Sequence, residues 1–396
     1  YGTVPYSLVD GFNDPRYSSN PPPTADGIIT FDEIIQWERF YESSEGEQPL
    51  YSDPGSIAIS TSFLYPTILN QDFCWEDFLE WGNITDDSYI IKDVLKGDIL
   101  ITSNLDFWLN TLPFILSSGS ETKIEKDKVI SLYGTTMNIE SGSILEGTEN
   151  SLINVVQSGS LNLDNCKINN VTVNIGDNGT LGHSNLTGIN EFNNSNFNVN
   201  TNSILKIKNG SVLKANAGSV LNIYPNSQLW LDFGAKLVIE EGAKLNLYGP
   251  LTIIMCGNAE FVINGDYSSD GEINITSTPL NDPDKSELPW SGIIAGKNSR
   301  IYINNTSVTG ATTAISGMPS VLRVSGCDFT ECANGINISA CGDFRIVSNT
   351  FTGNGSGIAV SVTQSGGYIN NNTITGYYKG INVMSCSPTL VQNTIS

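Results

Sequence analysis

The sequence predicts an all-β fold, a parallel β-helix (β-solenoid), with a smaller N-terminal segment containing helices. Two repeats carry this prediction. The first is an eight-residue block that recurs nine times without a gap from Asn194 to Gly265, as in NSILKIKN, GSVLNIYP and GAKLVIEE. Its fourth position reads Phe197, Leu205, Leu213, Leu221, Leu229, Leu237, Leu245, Ile253 and Phe261, and its sixth is Val199, Ala215 or otherwise Ile, Leu or Met. Two apolar positions separated by one polar position is the period of a half-buried strand, and a helix would need spacings of three and four. The second repeat is longer. Val308, Phe329, Phe351, Ile374 and Ile395 follow one another at 21, 22, 23 and 21 residues, each preceded five residues earlier by Ile303, Val324, Ile346, Ile369 or Leu390. A block of this size cannot bury its apolar pair alone, but stacked coils bury a continuous core.

Taken in order, residues 1–95 form a mixed α and irregular segment. The run TFDEIIQWERFYE opens with a capping box, Thr30 and Glu33. The run NQDFCWEDFLEWG has Asn70 as N-cap and Gly82 as stop. The first coil of a solenoid exposes unpaired strand edges, so this segment is expected to cap that edge. The other role is partner docking through Trp37, Phe40, Trp75 and Trp81. Residues 96–396 form the solenoid. Within 194–265, position one of each octad is Gly or Asn except at Pro250; both residue types tolerate the left-handed backbone of a sharp corner. Three octads make a 24-residue coil. Over 290–396, Asn349, Asn372 and Asn393 recur two residues before the Phe/Ile column and are expected to stack as a hydrogen-bonded ladder. Gly335-Ile336, Gly357-Ile358 and Gly380-Ile381 form a further column. The last coil ends at Ser396 in mid-pattern and the chain starts at Tyr1, so a longer natural chain is expected.

Composition excludes several classes. With 19 basic and 41 acidic residues the net charge is −22, which argues against nucleic acid and anionic membrane surfaces. No apolar run has the length of a membrane span. The seven cysteines form no CxxC pair, so zinc is not expected. Most are read as small buried fillers, with a Cys332–Cys341 disulfide left open. Asp26-Gly27 and its neighbours do not form an EF-hand loop.

The stretch LPWSGIIAGKNSRIYINNTSVTGATTAISG, with Trp290, Gly292 and Ile293 as a W-x-G-I motif, and the SNTF, NNTI and QNTI coils after it resemble bacterial secreted right-handed parallel β-helix proteins of the pectate-lyase-like superfamily. The resemblance covers roughly residues 97–396 and implies a right-handed coil, in line with the usual hand of parallel crossovers. It also implies an extracellular, secreted or cell-surface setting. Enzymes of that superfamily are lyases with a carboxylate-bound Ca²⁺ and a basic residue, or hydrolases with clustered aspartates.

Neither constellation is evident. Asp328, Glu331 and Asp343 fall in different columns, and His183 is the sole histidine. No catalytic residue and no metal ligand is therefore assigned. No cofactor is expected, with Ca²⁺ at the acidic loop 281–287 the one left open. Six residues before the Phe/Ile column stand Tyr302, Arg323, Arg345 and Tyr368. They neighbour an inward column and so point outward. The stripe is read either as a binding strip for an acidic polysaccharide, since arginine forks suit carboxylates and aromatic faces suit sugar rings or cations, or as exposed strand residues that stack for stability. The function expected is a non-catalytic secreted or cell-surface β-helix, a structural stalk or adhesin within a surface assembly. Its partner would be a surface glycan or another cell-surface or secretion protein. The alternative is a polysaccharide lyase or glycoside hydrolase acting on an extracellular acidic glycan.

Overall fold

The computed structural model describes residues 67–69, 99–101, 104–108, 114–116, 118–176, 180–277 and 288–396. All regular structure among them is β. The chain divides into two compact units, Tyr1–Val173 and Asn174–Ser396. The helices expected over 30–41 and 70–82 lie outside the described residues.

In the C-terminal unit each strand pairs in parallel with the strand three further along the chain, so three sheets grow side by side. Val212–Ala215 pairs with Lys236–Ile239 in sheet 1. Asn196–Val199 pairs with Val220–Ile223 in sheet 2, and Ile204–Ile207 with Gln228–Leu231 in sheet 3. Octad position four therefore stacks on itself every third octad: Leu213 on Leu237 on Phe261, Phe197 on Leu221 on Leu245, Leu205 on Leu229 on Ile253. All nine side chains are buried. Three octads do make one coil, and each fully buried large aliphatic or Phe side chain in these columns contributes about 1.5–3 kcal/mol.

The corners follow the octad closely. Asn194, Asn202, Gly210, Gly218, Asn226, Gly234, Gly242 and Asn258 all have positive φ, and Pro250 alone departs, following a cis peptide bond. Position two, which the two-column pattern leaves out, is a third inward site. Ser195, Ser203, Ser211, Ser219, Ser227, Ala235, Ala243 and Ala259 are all buried. The corner leaves room only for a small residue, and the serine hydroxyls tie neighbouring coils together. Ser211 Oγ accepts from the Gly188 N–H at 3.0 Å, and Ser219 Oγ donates to the Phe192 carbonyl at 2.9 Å. Ala215, the small exception at position six, lies opposite Phe192. Phe192 packs edge-on against Phe197 at 4.8 Å, so ring volume replaces the missing aliphatic. The compensation is incomplete and leaves a cavity of about 10 Å³.

Towards the C-terminus the Val308–Phe329–Phe351–Ile374–Ile395 and Ile303–Val324–Ile346–Ile369–Leu390 columns both stack in register. The asparagine ladder forms as expected. Asn349 Nδ2 donates to Asn372 Oδ1 at 3.0 Å, and Asn372 Nδ2 to Asn393 Oδ1 at 2.9 Å. The Gly-Ile column needs correction. Ile336 pairs with Val360, not Ile358, and Val360 with Ile381. The corner through Asn354, Gly355 and Ser356 takes up extra chain, so this coil runs 24 residues where its neighbours run 21.

The N-terminal unit is built the same way. Val129–Tyr133 pairs with Leu152–Val156, Thr136–Ile139 with Ser160–Asp164, and Glu121–Ile124 with Ile144–Gly147. Thr67–Leu69 pairs in parallel with Ile99–Ile101, so a strand column reaches back into the stretch read from sequence as cap or docking segment.

Candidate functional site

The outward residues of sheet 2 form the candidate site. In Arg300–Asn304, Val321–Ser325 and Asp343–Val347, the inward positions are Ile301, Leu322 and Phe344, then Ile303, Val324 and Ile346, all buried. Alternation sends the residue between them outward. Tyr302 therefore stacks on Arg323, Arg323 on Arg345, and Arg345 on Tyr368 in continuous register. Successive side chains stand about 4.8 Å apart, the spacing of paired strands. Tyr302 is 37% and Tyr368 50% exposed.

The four are not equivalent. The Arg323 guanidinium pairs with the Asp343 carboxylate, and its Nη1 donates to the Asp343 carbonyl at 2.9 Å and the Leu322 carbonyl at 3.2 Å. Spacing alone did not reveal this partner, because Asp343 opens the next strand and stands opposite Val321 rather than Arg323. Arg345 is exposed and has no hydrogen-bond or ion-pair partner among the described residues. At the rim, Arg300 holds Asp266 through two bonds, Nε to Oδ1 at 3.0 Å and Nη2 to Oδ2 at 2.8 Å. Those bonds and the carboxylate charge push the Arg300 guanidinium pKa further up. All three arginines among the described residues lie on three successive strands of this one sheet.

The same column has a different character earlier in the chain. Asn198 donates to Asn174, Asn222 to Asn198 and Asn246 to Asn222, each at 2.8 Å, and Ser268 Oγ donates to Asn246 at 2.9 Å. Ser268 is the register partner of Tyr302. Side chains that satisfy one another thus give way to tyrosine and arginine without a break in pairing.

Residues 262–396 match the family model described as right handed beta helix region. This match and the three parallel sheets identify the fold over these residues as a right-handed parallel β-helix. No curated protein and no solved structure matches it.

The matched region of the β-helix contains the W-x-G-I motif, and the packing explains it. Trp290 is fully buried, donates from Nε1 to the Thr309 carbonyl at 3.0 Å and meets Phe261 edge-on. Gly292 has a φ of 111°, and a Cβ there would sit 1.7 Å from the Thr313 carbonyl oxygen. The remaining sequence candidates divide as follows. Trp37, Phe40, Trp75, Trp81 and the loop 281–287 lie outside the described residues. Asp328 stands on a sheet 3 strand, Glu331 at a corner with a φ of 56°, and Asp343 on sheet 2. His183 opens a sheet 3 strand opposite Ile204. Among the described residues, no group of three or more His, Cys, Asp or Glu is placed to hold a metal ion. No helix among them is long and apolar enough to cross a membrane. Cys332 and Cys341 are both free thiols, as are Cys166, Cys256, Cys327 and Cys386. Burial pushes Cys166 up to about 12 and Cys327 and Cys332 up to about 11.

One concave feature has no counterpart in the sequence patterns. Asn226, Ser227 and Gln228, Pro250, Leu251 and Thr252, and Glu272 and Asn274 line a cavity of about 300 Å³ where three successive coils turn into sheet 3. Its one sequence signal is Pro250, the octad corner that is neither Gly nor Asn.

Proposed function

We propose that this β-helix is a non-catalytic, extracellular structural or adhesive protein that holds an acidic polysaccharide along the Tyr302–Arg323–Arg345–Tyr368 column. The observation that carries the reading is Arg345, an exposed cation with no ion-pair partner among the described residues, in register between Arg323 and Tyr368. In a chain of net charge −22, three arginines and two exposed tyrosines gather on the outer face of one sheet. Arg345 leaves its donors unused. A guanidinium fork matches a carboxylate in plane and in spacing, and tyrosine faces cover the apolar side of a sugar ring. A chain lying across successive coils would meet one such side chain every ~4.8 Å. Arg323, held by Asp343, gives the column a rigid centre, and Arg345 makes the direct contact.

A glycan array tests this. The protein is expected to retain uronate-containing polysaccharides, and retention should weaken as salt rises, because exposed charge pairs are screened beyond about 8–10 Å. Arg345→Ala should abolish retention, whereas Arg323→Ala should weaken it and also loosen the strand pair it braces. Retention unchanged by Arg345→Ala, with the fold intact, overturns the assignment.

A further inference from the structure

We infer that the corner cavity at the octad break is a second binding site, for a neutral saccharide of one or two units. The break itself creates the space. Eight corners of the repeat place Gly or Asn at position one and, next to it, a small buried residue. The eighth octad instead places Pro250 and Leu251 there, with Leu251 buried. The corner is held by close backbone contacts. Asn226 N–H donates to the Pro250 carbonyl at 2.6 Å and Leu251 N–H to the Glu272 carbonyl at 3.0 Å. A Cβ on Gly249 would meet Glu272 backbone atoms at 2.4 Å. Tyr224 and Tyr248 precede two of the cavity segments by two residues each and stack at 5.2 Å and 11°, pinning those corners together. The walls are therefore preformed.

The lining is mostly polar, and although the Ser227 hydroxyl is held by the Tyr224 carbonyl, four of its side chains are unspent. Gln228, Thr252 and Asn274 form an outward column on sheet 3, in direct register. Unlike the asparagines of sheet 2, which satisfy one another, these three have no side-chain hydrogen bond among the described residues, and neither does Glu272. Each amide offers donors and an acceptor, the threonine hydroxyl offers both, and the carboxylate accepts only. Sugar hydroxyls donate and accept at once, so vicinal hydroxyls match an amide–hydroxyl–amide row closed by a carboxylate. Glu272 is the only charged group in the lining, and it disfavours anionic sugars. That separates this site chemically from the arginine column. A cavity of about 300 Å³ stands at the lower end of small-ligand sites, which suits one or two rings rather than a long chain.

Saturation-transfer NMR on the full chain tests the inference, with the methyl glycosides of glucose, galactose, mannose and N-acetylglucosamine and with methyl galacturonide. At least one neutral glycoside should bind the full chain, and in the Arg345→Ala chain, which lacks the carboxylate contact of sheet 2, the uronide should not. Thr252→Trp, which fills the space, should abolish the signal. Glu272→Gln should weaken affinity about tenfold, as expected for a lost charge-assisted hydrogen bond. Arg345→Ala should leave the signal unchanged, so failure of the polysaccharide reading and failure of this one are distinguishable. Absence of binding by every neutral glycoside at about 10 mM, a concentration that exposes even millimolar affinity, overturns the site. So does binding that survives both cavity variants. Should Thr252→Trp fail to fold, Glu272→Gln decides alone, since its side chain is exposed and carries no contact the fold uses.

Discussion

Asn372 spends every hydrogen-bonding position of its side chain. Its Nδ2 donates to the Ile346 carbonyl at 2.9 Å and to Asn393 Oδ1, while its Oδ1 accepts from both the backbone N–H and Nδ2 of Asn349 at 3.0 Å. It is 1% exposed, so water cannot replace a lost partner. Asn372→Ala is expected to cost about 2–4 kcal/mol in urea unfolding, the sum of two or more orphaned buried groups. Asn222→Ala, on the half-exposed ladder of sheet 2, should cost less than about 1 kcal/mol, because water reaches the released amides. Equal costs at the two positions would show that burial is not what makes the inner ladder valuable. Cys327 stands in the same corner column, one coil before Asn349, and its backbone N–H donates to Asn349 Oδ1 at 2.9 Å. Its thiol and that of Cys332 have pKa values raised from 9.0 to about 11 by burial. Raised values mean that the folded chain keeps these protons when the unfolded chain has released them. The stabilisation is complete below pH 9 and is lost as pH rises through about 11. The thermal midpoint should therefore fall over that window, and Cys327→Ala with Cys332→Ala should flatten the fall. A slope unchanged by the double variant would assign the alkaline loss elsewhere.

At the scale of strands and corners, glycine divides into two kinds. Gly210 has a φ of 64° and open space where a Cβ would go, whereas a Cβ on Gly292 would strike the Thr313 carbonyl oxygen. Gly210→Ala should cost only the left-handed penalty of about 1–2 kcal/mol. Gly292→Ala should cost clearly more, because the neighbouring coil must move. Thermal melts of the two variants give the comparison directly, and equal midpoints would contradict it. This difference was illegible in the sequence, where both residues are simply glycines beside a strand. What could be read there was parity. Alternation at positions four and six assigns inside and outside, and stacking of like residues yields the register, so Tyr302, Arg323, Arg345 and Tyr368 could be aligned by counting. Counting fails where a coil changes length within a corner, as at Asn354–Ser356, since Gly357 then imitates the wrong glycine. It also misses groups such as Asp343 and Glu272, whose roles arise between neighbouring coils rather than within one repeat.

For the whole molecule the governing quantity is a charge of −22. Surface pairs offset part of the repulsion locally. Lys236 meets Glu260 at 2.8 Å, and Lys214 stands 3.9 Å from Glu191 and 3.4 Å from Glu240. Pairs of this exposure contribute about 0–1 kcal/mol each, too little to outweigh the excess of acidic groups. Raising sodium chloride from about 0.02 to 0.3 M, which shortens the screening length severalfold, is therefore expected to raise the thermal midpoint. A midpoint that falls with salt would mean that the pairs dominate. The same excess gives the arginines of sheet 2 their meaning. Arg300 and Arg323 are offset by Asp266 and Asp343, so in this acidic chain it is Arg345 that leaves a positive charge on the sheet without a local partner.

The outer column of sheet 2 passes from asparagine to arginine and tyrosine with no change in backbone pairing, so it works as a graduated scale whose marks can be rewritten. Its interval is a property of paired strands, about 4.8 Å, and is indifferent to which side chain stands at each mark. Asn222 and Asn246 are already aligned with Arg345. Replacing either by arginine would add a cation at a known distance, and placing charges at every second mark would double the interval. Polymers could then be sorted by the repeat of their own charges, with length measured by the protein rather than chemistry alone.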